Sequence, residues 1–481
     1  MSSPIRRLMK NSFIYGSGDM LAKALAFLLL PLYTRFLTPE DYGILSLCYL
    51  IITIFSIVCS LGVDGAISKY HYDVKNKDEE KNLYGSIYIF SILTTLAIVV
   101  FAKLWSSQLS QLVFASASFS VYIDICLLIV FFSSLTTIPW LVYKLREQSI
   151  KYSIFSISSF LLKTLLIIYF VVFLKEGAQG SLKGQLIGYI LIGVVSVYLM
   201  SKNIKYTLDF EYIKKSLKFG LPLIPHSLAG WVITSTDRFM LGKLSNLNEV
   251  GLYTAGYNIS TIMWFTVSSI QVAWVPFFFS TVKLGNAEEI ISTTTTYYVS
   301  GILFLALFLA IFSKEIAKIL VAPNFYQCYQ VIPLLVCAAL FQGFYYICVL
   351  GIFQKEKTFW LPFLTGFAAI MNIGLNFVLI PRYGMVGASF ATTVSYFVWV
   401  CLVAYISQKV YPIRWENRKL ILISLTAVVI YLLSQAANLS NFGVSVIYKS
   451  LLLSTYILAL FSLKIISFTK VKGIVQEVMG I

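Results

Sequence analysis

The sequence predicts an all-α membrane protein of about fourteen transmembrane helices, arranged as two parallel six-helix lobes plus an appended C-terminal helix pair. Three observations predict this class: the composition, the recurrence of apolar segments and an internal repeat. Of the 481 residues, 58% are hydrophobic and only 12% are charged, and the mean hydropathy is +0.82. Such a composition excludes an ordinary water-soluble globular protein.

Apolar segments recur along the chain with short polar breaks between them. Each has roughly 20 residues, which is long enough to cross about 30 Å of hydrocarbon as a helix. We place them at residues 12–33, 42–67, 83–103, 119–143, 152–174, 182–201, 219–241, 251–280, 291–312, 329–353, 359–380, 386–406, 420–436 and 443–466.

The basic residues predict the orientation in the membrane. With the N-terminus in the cytoplasm, most of the 37 Lys and Arg residues fall on the inner side, in clusters that include 69–81, 144–151, 202–218 and 409–419. This is the positive-inside distribution, so we expect a multi-pass membrane protein with both termini cytoplasmic. The formal charge of +16 therefore reflects topology, and a nucleic-acid partner is not predicted.

Other classes of site find little support in the sequence. Asp19 and Lys23 interrupt the first apolar run, so we expect an uncleaved first helix and no cleaved signal peptide. The seven cysteines lie mostly inside predicted spans without a CxxC pair, and only two histidines occur. We therefore predict no disulfide framework, no metal site and no cofactor.

A repeat joins the two halves of the chain. The segment TPEDYGILSL at 38–47 matches NLNEVGLYTA at 246–255, and QGSLKGQLIGY at 179–189 matches VGASFATTVSY at 386–396, with offsets of 208 and 207. In the first pair, each copy has a helix-capping pattern. Six helices in each copy give both halves the same orientation, which is a parallel repeat. The predicted parts are a first lobe, an interfacial cytoplasmic linker, a second lobe, and two extra helices with a cytoplasmic tail, at 1–201, 202–218, 219–406 and 407–481.

At these segments the chain resembles a known family. LTPEDYGILSL, TDRFMLGKLSNLNEVGLYTAGYNI and AAIMNIGLNFVLIPRYGMVGASFATT are similar to polysaccharide and O-antigen flippases of the multidrug/oligosaccharidyl-lipid/polysaccharide exporter superfamily. The resemblance covers nearly the whole chain. It implies two six-helix lobes and the movement of lipid-linked oligosaccharides from the cytoplasmic to the outer leaflet. Membrane lipids and other polysaccharide assembly proteins are the further partners expected.

Charged residues in the middle of predicted spans are candidates for the substrate site. Inserting a charge there costs roughly 3 kcal/mol, so ionisable residues inside spans are rare and usually have a function. Asp19 and Lys23 lie on one face of helix 1, where they could also form a simple ion pair, and Lys163 lies near the centre of helix 5 with no partner within a turn. The repeat places Met371 or Asn372 opposite Lys163, and the polar Asn372 is the candidate for substrate binding there. His226 in helix 7 is a further candidate for substrate binding.

Charges near helix ends predict gating and coupling. Asp237 and Arg238 fall in the last turn of the predicted helix 7, at the outer surface, and Arg35 ends helix 1. These three are either gate residues or topological anchors. For a coupling ion, the candidates are Asp19 and Asp64.

We predict a flippase for a polyprenyl-pyrophosphate-linked oligosaccharide that works by alternating access, and no enzymatic activity. A cationic cavity would suit the pyrophosphate. The repeat unit could belong to an O-antigen, a capsule or an exopolysaccharide. A cation-coupled drug exporter or a peptidoglycan-precursor flippase of the same superfamily remains open. A polysaccharide polymerase fits less well, because every loop has at most about 20 residues and no catalytic cluster occurs.

Overall fold

A computed structural model describes residues 27–437, 441–463 and 465, and within these ranges the chain is helical and contains no strand. Eleven of the described helices are long and apolar enough to cross a membrane. The predicted class, an all-α multi-pass membrane protein, is confirmed. The chain divides into two compact units, Met1–Gly251 and Leu252–Ile481. The predicted division at 202–218 stays a prediction; that segment lies inside the first unit.

The described helices of the first unit correspond closely to the predicted segments. In chain order they are α1 Leu30–Phe36, α2 Pro39–Ser60, α3 Val63–Tyr70, α4 Lys77–Leu104, α5 Ser106–Phe114, α6 Ser120–Leu145, α7 Ser149–Ile168, α8 Gly177–Ser201, α9 Phe210–Gly220, α10 Leu223–Leu244 and the start of α11 Leu247–Thr281. Most of the predicted first segment lies outside the described residues, so the count of fourteen spans stays a prediction.

The two predicted caps form as the repeat indicates. The Thr38 hydroxyl accepts a hydrogen bond from the Asp41 backbone amide at 3.1 Å, and the Asp41 carboxylate accepts one from the Thr38 backbone amide at 3.1 Å. In the second copy, the Asn246 side chain accepts from the Glu249 backbone amide at 2.9 Å. Asp41 also accepts from the backbone amide of Ala178 at 3.0 Å, so the α2 cap fixes the start of α8.

The linker after α8 is attached to the first unit by hydrogen bonds. The Ser86 hydroxyl donates to the Thr207 carbonyl at 3.1 Å and accepts from the Asp209 backbone amide at 2.9 Å, and the Asn82 side chain donates to the Asp209 carboxylate at 3.0 Å. Beyond these contacts, α9 packs against α3 and α4. The segment predicted to rest on the membrane surface is therefore also docked on the helix ends.

The second unit holds the rest of α11 and six further helices. These are α12 Ala287–Ile311, α13 Ser313–Leu320, α14 Ile332–Gln354, α15 Trp360–Val410, α16 Asn417–Ala436 and α17 Phe442–Ser462. The 51 residues of α15 cover two predicted spans, which meet at the left-handed residue Gly384, with φ 51° and ψ −131°. A side chain is strained in that conformation, so glycine allows the chain to turn there.

The last two helices pack into the core of the second unit. Tyr456 of α17 is fully buried and donates a hydrogen bond to the Ser300 carbonyl of α12 at 3.1 Å. At the start of α16, Glu416 accepts from the Thr296 hydroxyl of α12 at 2.6 Å. These helices lie outside the repeated sequence, but they are part of the unit's interior.

Candidate functional site

Lys163 makes a cation–π contact near the middle of a spanning helix. Its ammonium lies 4.1 Å from the centre of the Tyr189 ring on α8, and its side chain is half-buried. Within the described part of the chain, no carboxylate lies within 4.0 Å of this ammonium. A ring face contributes about 0.5–2 kcal/mol to holding a cation but does not neutralise it. The contact therefore presents a positive charge in an apolar setting.

Three glycines of α8 allow the preceding span Ser149–Phe173, which comprises α7 and the turn after it, to approach closely enough for this contact. A Cβ atom at Gly188 would lie 2.5 Å from Lys163 Cγ, one at Gly184 would lie 2.7 Å from the Ile167 backbone nitrogen, and one at Gly180 would lie 3.0 Å from the Phe170 carbonyl. They recur every four residues, which is the small-residue spacing by which membrane helices pack closely. The glycines set the distance between Lys163 and Tyr189.

The second unit has amides where the first has the lysine. The Asn376 side chain, which is fully buried, donates to the Asn372 side-chain oxygen at 3.0 Å, and the Asn372 amide lies 3.5 Å from the Thr392 hydroxyl. Gly387, the repeat partner of Gly180, again packs closely, with its Cβ position 2.4 Å from the Leu379 carbonyl. The repeat thus preserves one close glycine contact and changes the polar group from a cation to neutral amides.

The tyrosines that the repeat pairs also differ in their partners. Tyr189 lies beneath Lys163, whereas Tyr396 contacts the rings of Trp264 and Trp399 at centroid distances of 5.5 and 5.7 Å. The second unit therefore surrounds this position with aromatic rings.

Asp64 lies in the first turn of α3, which follows a sharp break in the chain. The break is at Leu61 and Gly62, both left-handed, and it separates Asp64 from the spanning helix Pro39–Ser60. Burial raises the pKa of Asp64 to about 6. No hydrogen bond or ion pair of its carboxylate is found with the residues that the structure describes. This side chain can gain or lose a proton near neutral pH.

The predicted gate residues are placed differently from the expectation. Because α10 continues to Leu244, Asp237 and Arg238 lie about two turns before its end, and the prediction that they fall in the last turn is wrong. Asp237 is buried and Arg238 is half-buried. Arg35 is exposed in the last turn of α1, and His226 is exposed in the first turn of α10.

The structure brings some of the predicted residues together and separates others. Asn372 and Asn376 contact each other, while Lys163, Asp64 and His226 lie on three different helices. Asp19 and Lys23 lie outside the described residues.

A polar cluster in the first unit was not foreseen. Arg146 at the end of α6 donates to the Glu80 carboxylate at 3.0 Å and to the Asn203 side chain at 2.6 Å, and the Tyr84 hydroxyl lies 2.7 Å from Nδ1 of His71. The pKa of His71 is lowered, because burial and the nearby Arg146 charge outweigh the raising effect of the Glu80 carboxylate. The cluster joins the predicted cytoplasmic ends of α4, α6 and α8.

A buried ion pair in the second unit was also missed. Lys449 of α17 donates to both oxygens of Glu315 on α13 at 2.8 Å, and the Ser445 hydroxyl donates to the same carboxylate at 2.7 Å. The two charged side chains are 8% and 9% exposed. Burial raises the pKa of Glu315, but the hydrogen bonds from Lys449 and Ser445 outweigh it and hold that pKa below its ordinary value.

Among the described residues, no group of three or more His, Cys, Asp or Glu side chains could hold a metal ion. The polar features found are a membrane-embedded cation on an aromatic ring, an amide cluster, a half-buried carboxyl group with a raised pKa, and two ion-pair clusters. They can bind an anionic or hydroxylated ligand and exchange a proton.

Comparison with known proteins assigns the family. A family model described as polysaccharide biosynthesis protein matches residues 8–282, which is more than half of the chain. An uncharacterized membrane protein of Haemophilus influenzae is 26% identical over 290 residues, covering 58% of this chain and 67% of that protein. The capsular polysaccharide biosynthesis protein CapF of Staphylococcus aureus is 21% identical over 426 residues, covering 84% of this chain and 100% of that protein.

A solved structure shows the same fold. The lipid II flippase MurJ, in its inward closed conformation, matches 92% of this chain and 98% of its own with a TM-score of 0.72 and 14% sequence identity. At this identity the likeness concerns the fold alone. From the family match, the chain belongs to the polysaccharide biosynthesis protein family, which confirms the predicted resemblance to polysaccharide flippases of the multidrug/oligosaccharidyl-lipid/polysaccharide exporter superfamily.

Proposed function

We propose that this protein is a flippase that moves a polyprenyl-pyrophosphate-linked oligosaccharide from the cytoplasmic to the outer leaflet of the bacterial inner membrane by alternating access. The repeat unit would belong to an O-antigen, a capsule or an exopolysaccharide. In this proposal the protein makes and breaks no covalent bond, and both termini are cytoplasmic, as the distribution of basic residues predicts.

The observation that carries the proposal is the Lys163–Tyr189 contact. A lipid-linked oligosaccharide combines a pyrophosphate, sugar rings and a long apolar chain. An ammonium without a neighbouring carboxylate among the described residues can replace part of the hydration that the pyrophosphate loses in the membrane. The Tyr189 ring face offers a group that contacts sugars, and Asn372 of the second unit is a separate candidate for sugar binding. The prenyl chain would remain in lipid.

Family membership supports the same class of substrate. The matched family model concerns polysaccharide biosynthesis, and CapF is named for capsular polysaccharide. The fold likeness to a lipid II flippase favours a peptidoglycan precursor as the second candidate. Both substrates are polyprenyl pyrophosphates that carry sugars, so the lysine would serve either one.

The proposal is tested by sorting lipid-linked oligosaccharides by membrane leaflet, with mass spectrometry, in cells that lack the gene and carry a complementing copy. We expect repeat units to accumulate in the inner leaflet without the protein and with Lys163→Ala, and Lys163→Arg to retain part of the transport. Lys151→Ala removes an exposed charge from the same helix and should match the wild type.

The outcomes separate the alternatives. Accumulation of the peptidoglycan precursor in place of the repeat unit would assign the second candidate. Unchanged pools of both lipids without the protein, in a strain without a redundant flippase, would contradict the flippase proposal. Wild-type behaviour of Lys163→Ala would show that this lysine has a packing role.

A further inference from the structure

A polar cavity opens in the second unit, away from Lys163. It has a volume of about 350 Å³ and lies between α13, the turn Pro323–Gln330, the end of α16 and the start of α17. The predicted topology places it on the outer side of the membrane. Small-molecule sites have volumes of roughly 300–1,000 Å³, so this cavity can hold a ligand of about one sugar ring or slightly more.

The cavity has an excess of positive charge. Lys314 and Lys318 line it from one face of α13, four residues apart, and both are exposed. Like charges at this spacing repel each other on a helix, and an anion bound between them would reduce this repulsion. The third cation of the lining, Lys449, is neutralised by Glu315, so the lining keeps a net charge of two positive units.

The position of these lysines also departs from the overall pattern of charge. The outer loops are predicted to hold few of the basic residues, yet the eight-residue helix α13 carries two that point into the same cavity. The buried Glu315–Lys449 pair fixes α13 against α17, so the lysines are presented from a rigid wall.

The remaining polar groups of the lining suit a sugar. The side-chain amides of Gln330 and Gln435 line the cavity, and each is exposed and without a hydrogen bond to any residue that the structure describes. Tyr329 supplies an aromatic ring, with the Lys314 ammonium 5.2 Å from its centre. Amides bind hydroxyl groups, and an aromatic ring can stack on the apolar face of a sugar.

We propose that this cavity binds an acidic sugar residue, such as a hexuronate, on the outer side of the membrane. The carboxylate would lie between Lys314 and Lys318, and the ring hydroxyls would reach the two glutamines. The inference rests on the proposed function in one respect, because it identifies the acidic sugar as part of the translocated repeat unit. The cavity would then hold the oligosaccharide after it reaches the outer leaflet.

The test measures binding to the purified full-length protein in lipid nanodiscs by saturation-transfer NMR. The probes are glucuronate, glucose and inorganic phosphate. The variants are Lys318→Gln and the double variant Lys314→Gln/Lys318→Gln. Lys357→Gln is the matched control, since it removes an exposed lysine of the same unit that lies outside the cavity lining.

We expect the wild type and the control to bind glucuronate at least ten times more tightly than glucose, and the double variant to lose most of this preference. Equal binding of glucose and glucuronate, or an unchanged double variant, would overturn the proposal. Phosphate that displaces glucuronate at equal concentration would overturn the sugar assignment in favour of a simple anion site. Since binding is measured without transport, a failure here leaves the translocation proposal intact, and a failure of translocation leaves this binding result readable.

Discussion

The Glu315–Lys449 pair provides a sharp prediction about stability. Replacement of Lys449 by Met removes the ammonium and keeps a side chain of similar length in α17. The Glu315 carboxylate, with its side chain 9% exposed, then stays buried and loses two hydrogen bonds of 2.8 Å. The Ser445 hydroxyl still donates to it, but a neutral donor cannot balance the charge.

The magnitude follows from two opposing energies. At 2.8 Å and an effective dielectric constant of roughly 20, the attraction between the two charges is about 6 kcal/mol. Burying the two ions costs several kcal/mol each, so the pair as a whole contributes little. Loss of one partner leaves the cost of the other, and we expect Lys449→Met to destabilise the protein by about 3–5 kcal/mol. The double variant Glu315→Gln/Lys449→Met should recover most of this loss.

The assay is the thermal unfolding of wild type, both single variants and the double variant in the same detergent, at several pH values. The pKa of Glu315 in the folded protein lies below its ordinary value of 4.5, so the stabilisation of its ionised form is present above pH 4.5 and is lost as the pH falls through the folded pKa. The wild type should therefore lose stability relative to the double variant on acidification below pH 4.5. A double variant that is no more stable than Lys449→Met, or a difference that does not change with pH, would refute this reasoning.

Three other predictions concern the first unit. Gly184→Ala should lower the unfolding temperature and the rate of translocation, because overpacking against α7 costs about 1–3 kcal/mol. The control Gly366→Ala, where an added Cβ meets no atom within 4 Å, should be neutral or stabilising. Equal effects of the two substitutions would contradict the proposed helix contact. Because the pKa of Asp64 is raised to about 6, the wild type should lose up to about 3 kcal/mol relative to Asp64→Asn as the pH rises from 3.8 to 6, with no further loss above pH 6. A difference in unfolding temperature that stays flat across this range would contradict the raised pKa. Arg146→Met should destabilise the protein more than Arg146→Met combined with Glu80→Gln, as measured by the same unfolding assay. The reverse order would show that this ion pair is not what holds the cluster.

The features that could be predicted from the sequence are those that depend on neighbouring residues. The caps at Thr38 and Asn246 involve residues three positions apart, so the pattern of residue types determines the contact. Hydrophobic length similarly determines most spans. The prediction that Asp237 lies in the last turn of its helix was wrong because the apolar run ends before the helix does. Helix α10 continues through Lys243 to Leu244.

The site could be predicted only in part, because its contacts join residues distant in sequence. Lys163 was selected for its position inside a span, but its ring partner Tyr189 comes from the next helix. Lys449 and Glu315 are 134 residues apart, and Lys449 lies near the start of a predicted span, where a charge usually reaches the membrane surface. Only the packing of α17 against α13 shows that this lysine is buried.

The central claim is that the protein translocates a polyprenyl-pyrophosphate-linked oligosaccharide and uses the Lys163 ammonium to do so. Its most direct test is the purified protein in liposomes that contain this lipid in both leaflets, with an added glycosidase that cannot cross the membrane. Wild-type protein is predicted to make the inner-leaflet oligosaccharide accessible to the enzyme, so that cleavage proceeds toward the whole pool, while Lys163→Ala leaves the inner share protected. Cleavage that stops at the outer-leaflet share with wild-type protein, as in liposomes without it, would contradict the account.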